Sequence, residues 1–282
     1  MHIEIFGKDN CPFCDMAVNK AEQLTQNQHK YTYKKLDRDF TREELLEQFP
    51  TARTFPQIRV DGKSIGGWQE FKDINEQDFI DFGHVTTDCQ LFLENEFAEQ
   101  AIGRVLIIGA NQGINNPAYH LIKSGWKAVC CEPDPYACSI LIERFSKYAD
   151  NITIVNSAIV PNTGSLTPFY LSIGRPAMSS LKPDWIEKQF DNESHEPLQY
   201  EILTHTLGVQ DLINRVGTDF DLVVIDAEGM DEELINAIDW SQLSNCSLLC
   251  CEDPGMVGSS TLKEAGFDLY HQNVNLYFKR EI

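Results

Sequence analysis

The chain has 282 residues, of which 42% are hydrophobic, and it carries a formal net charge of −20. No window contains 18 consecutive apolar residues, so the sequence predicts no membrane-spanning helix and no membrane partner. An acidic surface repels phosphates, and we therefore expect no nucleic acid partner. Nine cysteines without a recognisable signal peptide favour a reducing compartment, and the expected location is cytoplasmic.

Residues 1–82 predict a compact α/β domain, because strand-like and helical patterns alternate in the order β-α-β-α-β-β-α. Thr41 followed by Glu44 is a capping box, which predicts the start of a helix. The predicted strands lie at 2–6, 30–37 and on both sides of the Asp61-Gly62 turn, and the predicted helices lie at 13–26, from 41, and at 68–82.

Two cysteines, Cys11 and Cys14, stand in the sequence CPFC after the first predicted strand. Unpaired N–H groups at a helix N-terminus stabilise a thiolate, and the second cysteine lies one turn further on. Cys11 is therefore the candidate nucleophile and Cys14 the candidate resolving thiol. A zinc site would need further ligands, and no second CxxC or HxxxH is present, so zinc and a purely structural thiol pair are the weaker alternatives.

This part of the chain resembles the glutaredoxins, particularly the short phage-type ones. The resemblance rests on CPFC at 11–14, TFP at 54–56 and IGG at 65–67. It implies a thioredoxin-like fold with a cis proline at Pro56. It also implies glutathione as cofactor, with disulfides or glutathionylated molecules as substrates.

The resemblance assigns a glutathione site to particular residues. An acidic residue usually follows the two glycines by a few positions, and Gln69 or Glu70 has to serve here. The residues assigned to glutathione contacts are Lys8, Phe13, Thr54, Phe55, Pro56 and Gly67.

Residues 84–282 predict a second domain, with a seam near Gly83-His84. From residue 104 onwards, continuous apolar runs alternate with helical patterns, which is typical of a parallel sheet covered by helices on both faces. The run NITIVNSAI at 151–159 is expected to form a single strand. Ligands of such sheets bind outside the carboxyl ends of the strands.

The first apolar run of this domain ends in GANQG, where Gly109 and Gly113 would let the backbone approach a ligand. Glu132 ends the next run, where a carboxylate can accept hydrogen bonds from both hydroxyls of a ribose, and we expect it to lie outside the core. A dinucleotide site would have GxGxxG, and the middle glycine is missing. S-adenosylmethionine, a nucleoside cofactor without a pyrophosphate, fits better.

This half resembles the FkbM-type S-adenosylmethionine-dependent methyltransferases from about Gly103 to Trp240. The matching pieces are IGANQG, EPDP, NSAI, SSL and, most specifically, FDLVVIDAEGMDEELINAI. The resemblance implies a class I, Rossmann-like doubly wound α/β fold and, most often, O-methylation. Ile107 departs from the family, which usually has an aspartate at this position. By position, Gly109, Asn111 and Gly113 face the methionine part of the cofactor, Glu132 takes the ribose, and Asn156 and Ala158 lie near the adenine.

Asp226 and Glu228 in DAEGMD follow a strong apolar run and are expected at the carboxyl edge of the sheet. Three roles are open for them. They could act as a general base towards a hydroxyl acceptor, or hold a divalent cation that acidifies the hydroxyl. Alternatively, they only cap the helix expected at 231–239 and tie down its loop.

Paired cysteines occur in VCCEPDP and LCCEDP, both at the ends of apolar runs. Because side chains alternate along a strand, one cysteine of each pair would face either side of the sheet. The four cysteines are therefore expected to be buried apolar residues, and no metal centre is assigned. His205 in THTL is either a further candidate base or a structural histidine.

The whole sequence predicts a fusion of a glutathione-dependent dithiol–disulfide oxidoreductase with a methyltransferase that acts on an unidentified acceptor, most simply a hydroxyl oxygen. One alternative is a redox-gated binding module with a degenerate methyltransferase domain. Another is a glutaredoxin that carries an iron–sulfur cluster. CPFC disfavours the last, because cluster carriers usually have glycine or serine in this tetrad.

Overall fold

A computed structural model describes residues 2–24, 30–60, 62–72, 86–172, 175–189 and 199–282. The chain divides into two compact units, Met1–Val85 and Thr86–Ile282. The predicted seam at Gly83-His84, the predicted helix beyond residue 72 and Asp61 of the predicted turn lie outside the described residues.

The described residues of the first unit form four strands and three helices in the predicted order. These are β1 (His2–Gly7), α1 (Pro12–Leu24), β2 (Lys30–Lys35), α2 (Arg42–Gln48), β3 (Gln57–Val60), β4 (Lys63–Gly66) and α3 (Trp68–Phe71). The sheet order is β2-β1-β3-β4, with β1 parallel to β2 and antiparallel to β3. The sheet is of the thioredoxin-like type that the sequence predicts.

Local sequence explains the elements of this unit. Alternate residues of β1, Ile3 and Ile5, are fully buried against Ile58 and Val60 of β3, as the period of a strand requires. The predicted capping box begins α2. The Thr41 hydroxyl accepts a hydrogen bond from the Glu44 N–H at 3.2 Å, and the Glu44 carboxylate accepts one from the Thr41 N–H at 2.7 Å.

The described residues of the second unit form ten strands, seven helices and three 3₁₀ turns. The strands are β5 (Arg104–Ile108), β6 (Lys127–Cys131), β7 (Ile152–Val155), β8 (Ala158–Val160), β9 (Leu166–Ser172), β10 (Gln199–Gly208), β11 (Leu222–Ile225), β12 (Leu248–Cys251), β13 (Asp268–Gln272) and β14 (Leu276–Lys279). The α-helices are α4 (Asp88–Glu96), α5 (Tyr119–Lys123), α6 (Pro135–Arg144), α7 (Pro183–Gln189), α8 (Val209–Val216), α9 (Asp231–Ala237) and α10 (Ser260–Glu264). The 3₁₀ turns are Ser146–Asn151, Pro176–Met178 and Pro254–Met256.

Seven of these strands form one sheet in the order β13-β14-β12-β11-β5-β6-β7. All neighbours are parallel except β14, which is antiparallel to β12 and β13. Later strands add outwards from β5 in one direction and from β11 in the other. The pair β5–β11 is therefore the topological switch point, where ligands bind in sheets of this kind. The fold is Rossmann-like, as predicted.

Both faces of this sheet are buried, which explains the continuous apolar runs of the sequence. The four paired cysteines divide between the two faces as predicted. Cys131 and Cys251 lie in one buried cluster, and Cys130 and Cys250 lie in the other. Burial raises the pKa of the Cys130 thiol to about 12, so it behaves as an apolar residue.

A second, three-stranded sheet has the order β8-β10-β9. It corrects the expectation of one strand over NITIVNSAI. The run breaks at Asn156, so that β7 ends the large sheet while β8 pairs parallel with β10. The break arises because residues 158–160 pair with Thr206–Gly208, which lie far along the chain. The apolar pattern of the sequence alone does not reveal this pairing.

None of the helices in the described part of the chain combines the length and the apolar character that crossing a bilayer requires.

Candidate functional sites

The dithiol site lies at the start of α1. Cys11 directly precedes the helix and forms a disulfide with Cys14. Cys14 is fully buried and Cys11 is 6% exposed. The Cys14 N–H points at the Cys11 sulfur at 3.2 Å. Backbone N–H groups at this helix end can therefore stabilise a Cys11 thiolate.

Other residues assigned from the glutaredoxin resemblance converge in the same unit. The Phe55–Pro56 peptide bond is cis, as that resemblance implies. A Cβ on Gly67 would lie 3.3 Å from the Pro56 carbonyl oxygen and 3.7 Å from the Thr54 hydroxyl. The Lys8 ammonium lies 5.9 Å from the centre of the Phe55 ring. Phe13 is 50% exposed, so its ring is available to a ligand or partner.

Glu70 is the acidic residue at the two glycines. Its carboxylate accepts a hydrogen bond from the Gly67 N–H at 2.8 Å and also contacts the position where a Cβ of Gly66 would lie. The structure therefore places Glu70 at this loop. The sequence had left open whether Gln69 or Glu70 takes this position.

The second unit contains a cavity of about 300 Å³ at the switch point between β5 and β11. Its volume falls at the lower end of the range for small-molecule sites. Loops that follow the carboxyl ends of β5, β6 and β11 line it, together with Phe169, Ser179 and Leu181 from the segment around the small sheet. The predicted residues that line the cavity are Gly109, Asn111, Gly113, Glu132, Ala158, Asp226 and Glu228.

Two glycines of GANQG are required by their positions. Gly109 has φ +85°, and a Cβ there would lie 1.8 Å from the Asp226 carbonyl oxygen. Gly113 has φ +84°, and its Cβ would lie 2.8 Å from Leu141 of α6 and from Phe145, which directly follows that helix. The loop can therefore take this path only with glycine at both positions.

Glu132 faces this loop with both carboxylate oxygens. One accepts a hydrogen bond from the Asn111 N–H at 2.7 Å, and the other accepts one from the Asp134 N–H at 2.8 Å. The residue is 6% exposed, so the expectation that it lies outside the core is wrong. Burial raises the pKa of Glu132 to about 7, and the two N–H groups oppose this shift.

Asn156 and Ile107 do not line the cavity. The Asn156 side-chain amide donates to the Glu132 carbonyl oxygen at 2.8 Å and so ties the end of β7 to the end of β6. Ile107, where the family usually has an aspartate, is 1% exposed within the apolar cluster that contains Trp126.

Three carboxylates meet at the end of β11 and β12. One oxygen from each of Asp226, Glu228 and Glu252 lies within 4.8 Å of the others, a spacing that a cation could bridge. Burial and the neighbouring Glu252 and Glu228 carboxylates hold the pKa of Asp226 well above its ordinary value. Burial also raises the pKa of Glu228 to about 7.

The turn at Glu228-Gly229 is held by one segment, Ser180–Trp185. The Trp185 indole N–H donates to the Glu228 carboxylate at 2.9 Å. The Ser180 hydroxyl donates to the Glu228 carbonyl oxygen, and the Lys182 ammonium donates to the Gly229 carbonyl oxygen, both at 2.6 Å. These contacts hold Glu228 at φ +46°, which is unusual for a residue with a side chain.

The third role that the sequence left open for Asp226 and Glu228 is only partly wrong, because Glu228 helps to tie down the turn but the helix has no side-chain cap. Helix α9 begins after Met230, which makes no side-chain cap. Asp231 ties this region together instead, because its carboxylate accepts hydrogen bonds from Ala227 N–H at 2.9 Å and Glu252 N–H at 3.2 Å.

Glu252 and Trp185 are the residues of the site that sequence reasoning missed. Glu252 had a signal, since it ends LCCE as Glu132 ends VCCE, and both follow parallel strands of one sheet. Trp185 had none, because a long-range contact brings it to the turn. His205 is exposed on β10 and does not line the cavity.

The folds and sites define a thioredoxin-like dithiol unit followed by a Rossmann-like unit with a nucleoside-sized cavity. Comparison with known families identifies both. The glutaredoxin family model matches residues 3–65, and the methyltransferase FkbM domain matches residues 108–257. Glutaredoxin from Haemophilus influenzae is 34% identical over 83 residues, which is 28% of this chain and 95% of that protein. The chain therefore belongs to the glutaredoxin family through its first unit and to the FkbM methyltransferase family through its second.

Solved structures resemble each unit separately. Reduced glutaredoxin from Escherichia coli is 31% identical, with a TM-score of 0.21, and the match covers 26% of this chain and 89% of that chain. Precorrin-6y C5,15-methyltransferase from Geobacter metallireducens is 14% identical, with a TM-score of 0.37, and the match covers 70% of this chain and 93% of that chain.

The chain is thus a fusion of a glutaredoxin-type thiol–disulfide oxidoreductase and an FkbM-type methyltransferase. These families imply glutathione and S-adenosylmethionine as the general cofactors. They also imply glutathione-linked substrates for the first unit and a methyl acceptor for the second.

Proposed function

We propose that residues 1–82 reduce disulfides and glutathione adducts through Cys11 and Cys14. The Cys11 thiolate attacks one sulfur of a substrate disulfide, and the other sulfur leaves as a thiolate. The Cys14 thiolate then attacks the Cys11 sulfur, which releases the second substrate thiolate and forms the Cys11–Cys14 disulfide. Two molecules of glutathione reduce this disulfide and leave as oxidised glutathione. The disulfide between the two cysteines supports the dithiol route.

Glutathione would bind beside this pair. Lys8 over the Phe55 ring supplies a positive charge for a carboxylate. Thr54 and Gly67 lie near Pro56, and Glu70 at Gly67 supplies a negative charge for the glutathione amine. Phe13 gives an apolar surface next to Cys11.

We further propose that residues 84–282 bind S-adenosylmethionine in the cavity at the switch point. The position of Glu132 carries this proposal, because it is a buried carboxylate that lines the cavity at the end of the strand next to GANQG. It would accept the ribose hydroxyls. The methionine part of the cofactor would lie along Gly109, Asn111 and Gly113, and the adenine would lie at Ala158. Asn156 would hold Glu132 in place through its hydrogen bond to the Glu132 carbonyl oxygen.

The bound cofactor supplies an electrophilic methyl group, and a hydroxyl acceptor has to lose its proton to take it. Glu228 suits this task, since a general base works best when its pKa lies near the working pH. Burial places the pKa of Glu228 at about 7, and Trp185 fixes its orientation. Asp226 would share the negative charge with Glu252 beside it.

The lining of the cavity also bears on the acceptor. Its residues, all within the described part of the chain, include three carboxylates and no Lys, Arg or His. We therefore expect an uncharged or cationic acceptor and, with a net charge of −20, no nucleic acid. A thiol-reducing first domain is most useful in a reducing compartment, so we place the protein in the cytoplasm.

Calorimetric titration of the full chain with S-adenosylhomocysteine tests the cofactor assignment. Saturable heat is expected from one site. No heat would favour the alternative in which the second domain is a degenerate binding module. An absorbance spectrum of protein purified without oxygen tests the cluster-carrying alternative for the first domain, and we expect no iron–sulfur bands.

A further inference from the structure

Helix α4 lies outside the residues that match the FkbM domain. One of its side chains nevertheless contacts the loop at residues 109–116, which follows β5 and lines the cavity. Gln90 is fully buried. Its side-chain N–H₂ group donates to the Ile114 carbonyl oxygen at 2.7 Å and to the Asn116 carbonyl oxygen at 3.1 Å. Ile114 and Asn116 line the cavity, whereas Gln90 does not.

The same carboxamide is held rigidly at its other end. Its oxygen accepts a hydrogen bond from the Thr87 N–H at 3.1 Å, as part of the capping box that begins α4. A side chain fixed at both ends holds the direction of the peptide groups that it contacts. Gln90 therefore couples the start of α4 to the loop after Gly113.

A second buried side chain acts on the same loop. The Arg144 guanidinium, which is 4% exposed, donates to the Gln112 carbonyl oxygen. The carbonyl groups of Gln112, Ile114 and Asn116 are thus turned towards buried donors. In a trans peptide the carbonyl and the following N–H point in opposite directions. The Asn115 N–H is therefore directed away from Gln90, and Asn115 itself lines the cavity.

We propose that Gln90 is a positioning residue for cofactor binding, which aims the Asn115 N–H at the carboxylate on the amino-acid end of S-adenosylmethionine. The proposal rests on the cofactor assignment made above. A backbone N–H that meets a carboxylate makes a charge-assisted hydrogen bond, which is among the stronger hydrogen bonds in proteins. Gln90 should therefore govern affinity for the amino-acid end and leave the nucleoside end unaffected.

Two ligands separate these ends. S-adenosylhomocysteine carries the amino-acid carboxylate, and 5′-methylthioadenosine has the same nucleoside without it. We would measure the affinity of the full chain for both by calorimetry. The test variant is Gln90→Glu, which is nearly the same size, keeps an oxygen for the Thr87 N–H and, when ionised, lacks the donor for the loop. Gln90→Met is a second variant, in case the added acid prevents folding.

For both variants we expect at least about tenfold weaker binding of S-adenosylhomocysteine and less than about twofold change for 5′-methylthioadenosine. Thr87→Ala is the matched control. It removes the hydroxyl that caps α4 through the Gln90 N–H at 3.2 Å but leaves the carboxamide in place. It should lower thermal stability and leave the ratio of the two affinities unchanged.

Equal weakening of both ligands would overturn the proposal, because Gln90 would then only support the fold. Unchanged affinity for S-adenosylhomocysteine would overturn it as well. A parent chain that binds neither ligand would overturn the cofactor assignment itself and, with it, this proposal.

Discussion

The Trp185 indole donates a 2.9 Å hydrogen bond to the Glu228 carboxylate, and its ring occupies the space where a side chain on Gly229 would lie. The ring thus orients the carboxylate and also restricts the next residue to glycine. A Cβ on Gly229 would lie 2.8 Å from the indole, and the residue has φ +92°. The candidate base and its turn therefore depend on a segment more than 40 residues away in sequence.

Gly229→Ala should destabilise the second unit through both effects. The left-handed backbone costs about 1–3 kcal/mol with a side chain present. The collision with Trp185 adds about 1–3 kcal/mol of overpacking. The free energy of unfolding, measured in urea by circular dichroism, should therefore fall by about 2–6 kcal/mol.

Gly258→Ala is the matched control for this prediction. Gly258 has φ +89°, but a Cβ there meets nothing within 4 Å. It should show only the backbone part of the loss. Equal losses in the two variants would mean that the Trp185 contact does not restrict Gly229.

The sequence predicted the parts of the molecule that depend on local pattern. The order of the elements in the first unit and the division of the paired cysteines between two faces follow from periods of 2 and 3.6 residues. The capping box at Thr41 follows from the spacing of Thr41 and Glu44. Glycine spacing and the acid at a strand end were enough to suggest Gly109 and Glu132, and both line the cavity.

Long-range contacts account for what the sequence did not show. The break at Asn156 arises because β8 pairs with β10, far along the chain. Trp185 reaches Glu228 only after the chain has folded. The burial of Glu132 depends on the loop that closes over it, with the Asn111 N–H at 2.7 Å.

Substitution of the two active-site cysteines should have unequal effects. Cys11→Ser should abolish glutathione-dependent reduction of a small mixed disulfide, since the attacking thiolate is lost. Cys14→Ser should retain part of the activity, because glutathione can release the Cys11 adduct without the resolving thiol. Oxidation of reduced glutathione, followed through a coupled reductase, measures both. Full activity in the Cys11 variant would contradict the assignment of the nucleophile.

The affinity for S-adenosylhomocysteine should depend on pH through Glu132. The ionised carboxylate accepts ribose hydroxyls better than the protonated acid, so binding should lower its pKa from about 7 in the free protein. Affinity should accordingly rise as pH increases through 7 and weaken as pH falls below it. We expect about tenfold weaker binding at pH 6 than at pH 8, since each pKa unit corresponds to a tenfold change. Calorimetry at several pH values measures this.

Glu132→Gln is the comparison for the pH series. It should bind more weakly at pH 8 and lose most of the pH dependence, because the amide does not titrate. A variant with the same pH profile as the parent would assign the titration to Asp226 or Glu228 instead.

Methyl transfer should depend on Glu228 more than on any other carboxylate of the site. Glu228→Gln keeps an oxygen that can accept the Trp185 N–H, so the turn should remain in place, but the amide cannot take a proton. Loss of a general base costs about 10²–10⁴-fold in rate, and we expect a fall of this size in labelled methyl incorporation from S-adenosylmethionine.

Asp226→Asn and a chelator distinguish the two ways in which the carboxylates could act. If Glu228 is the base, chelation should have no effect on transfer. Asp226→Asn should then bind S-adenosylhomocysteine nearly as well as the parent. It should transfer methyl more slowly, because the charge beside Glu228 changes. If the three carboxylates hold a cation, chelation should stop transfer, and added Mg²⁺ should restore it in the parent but poorly in Asp226→Asn and Glu252→Gln. Transfer at the parent rate in Glu228→Gln, with or without chelator, would contradict both roles for this residue.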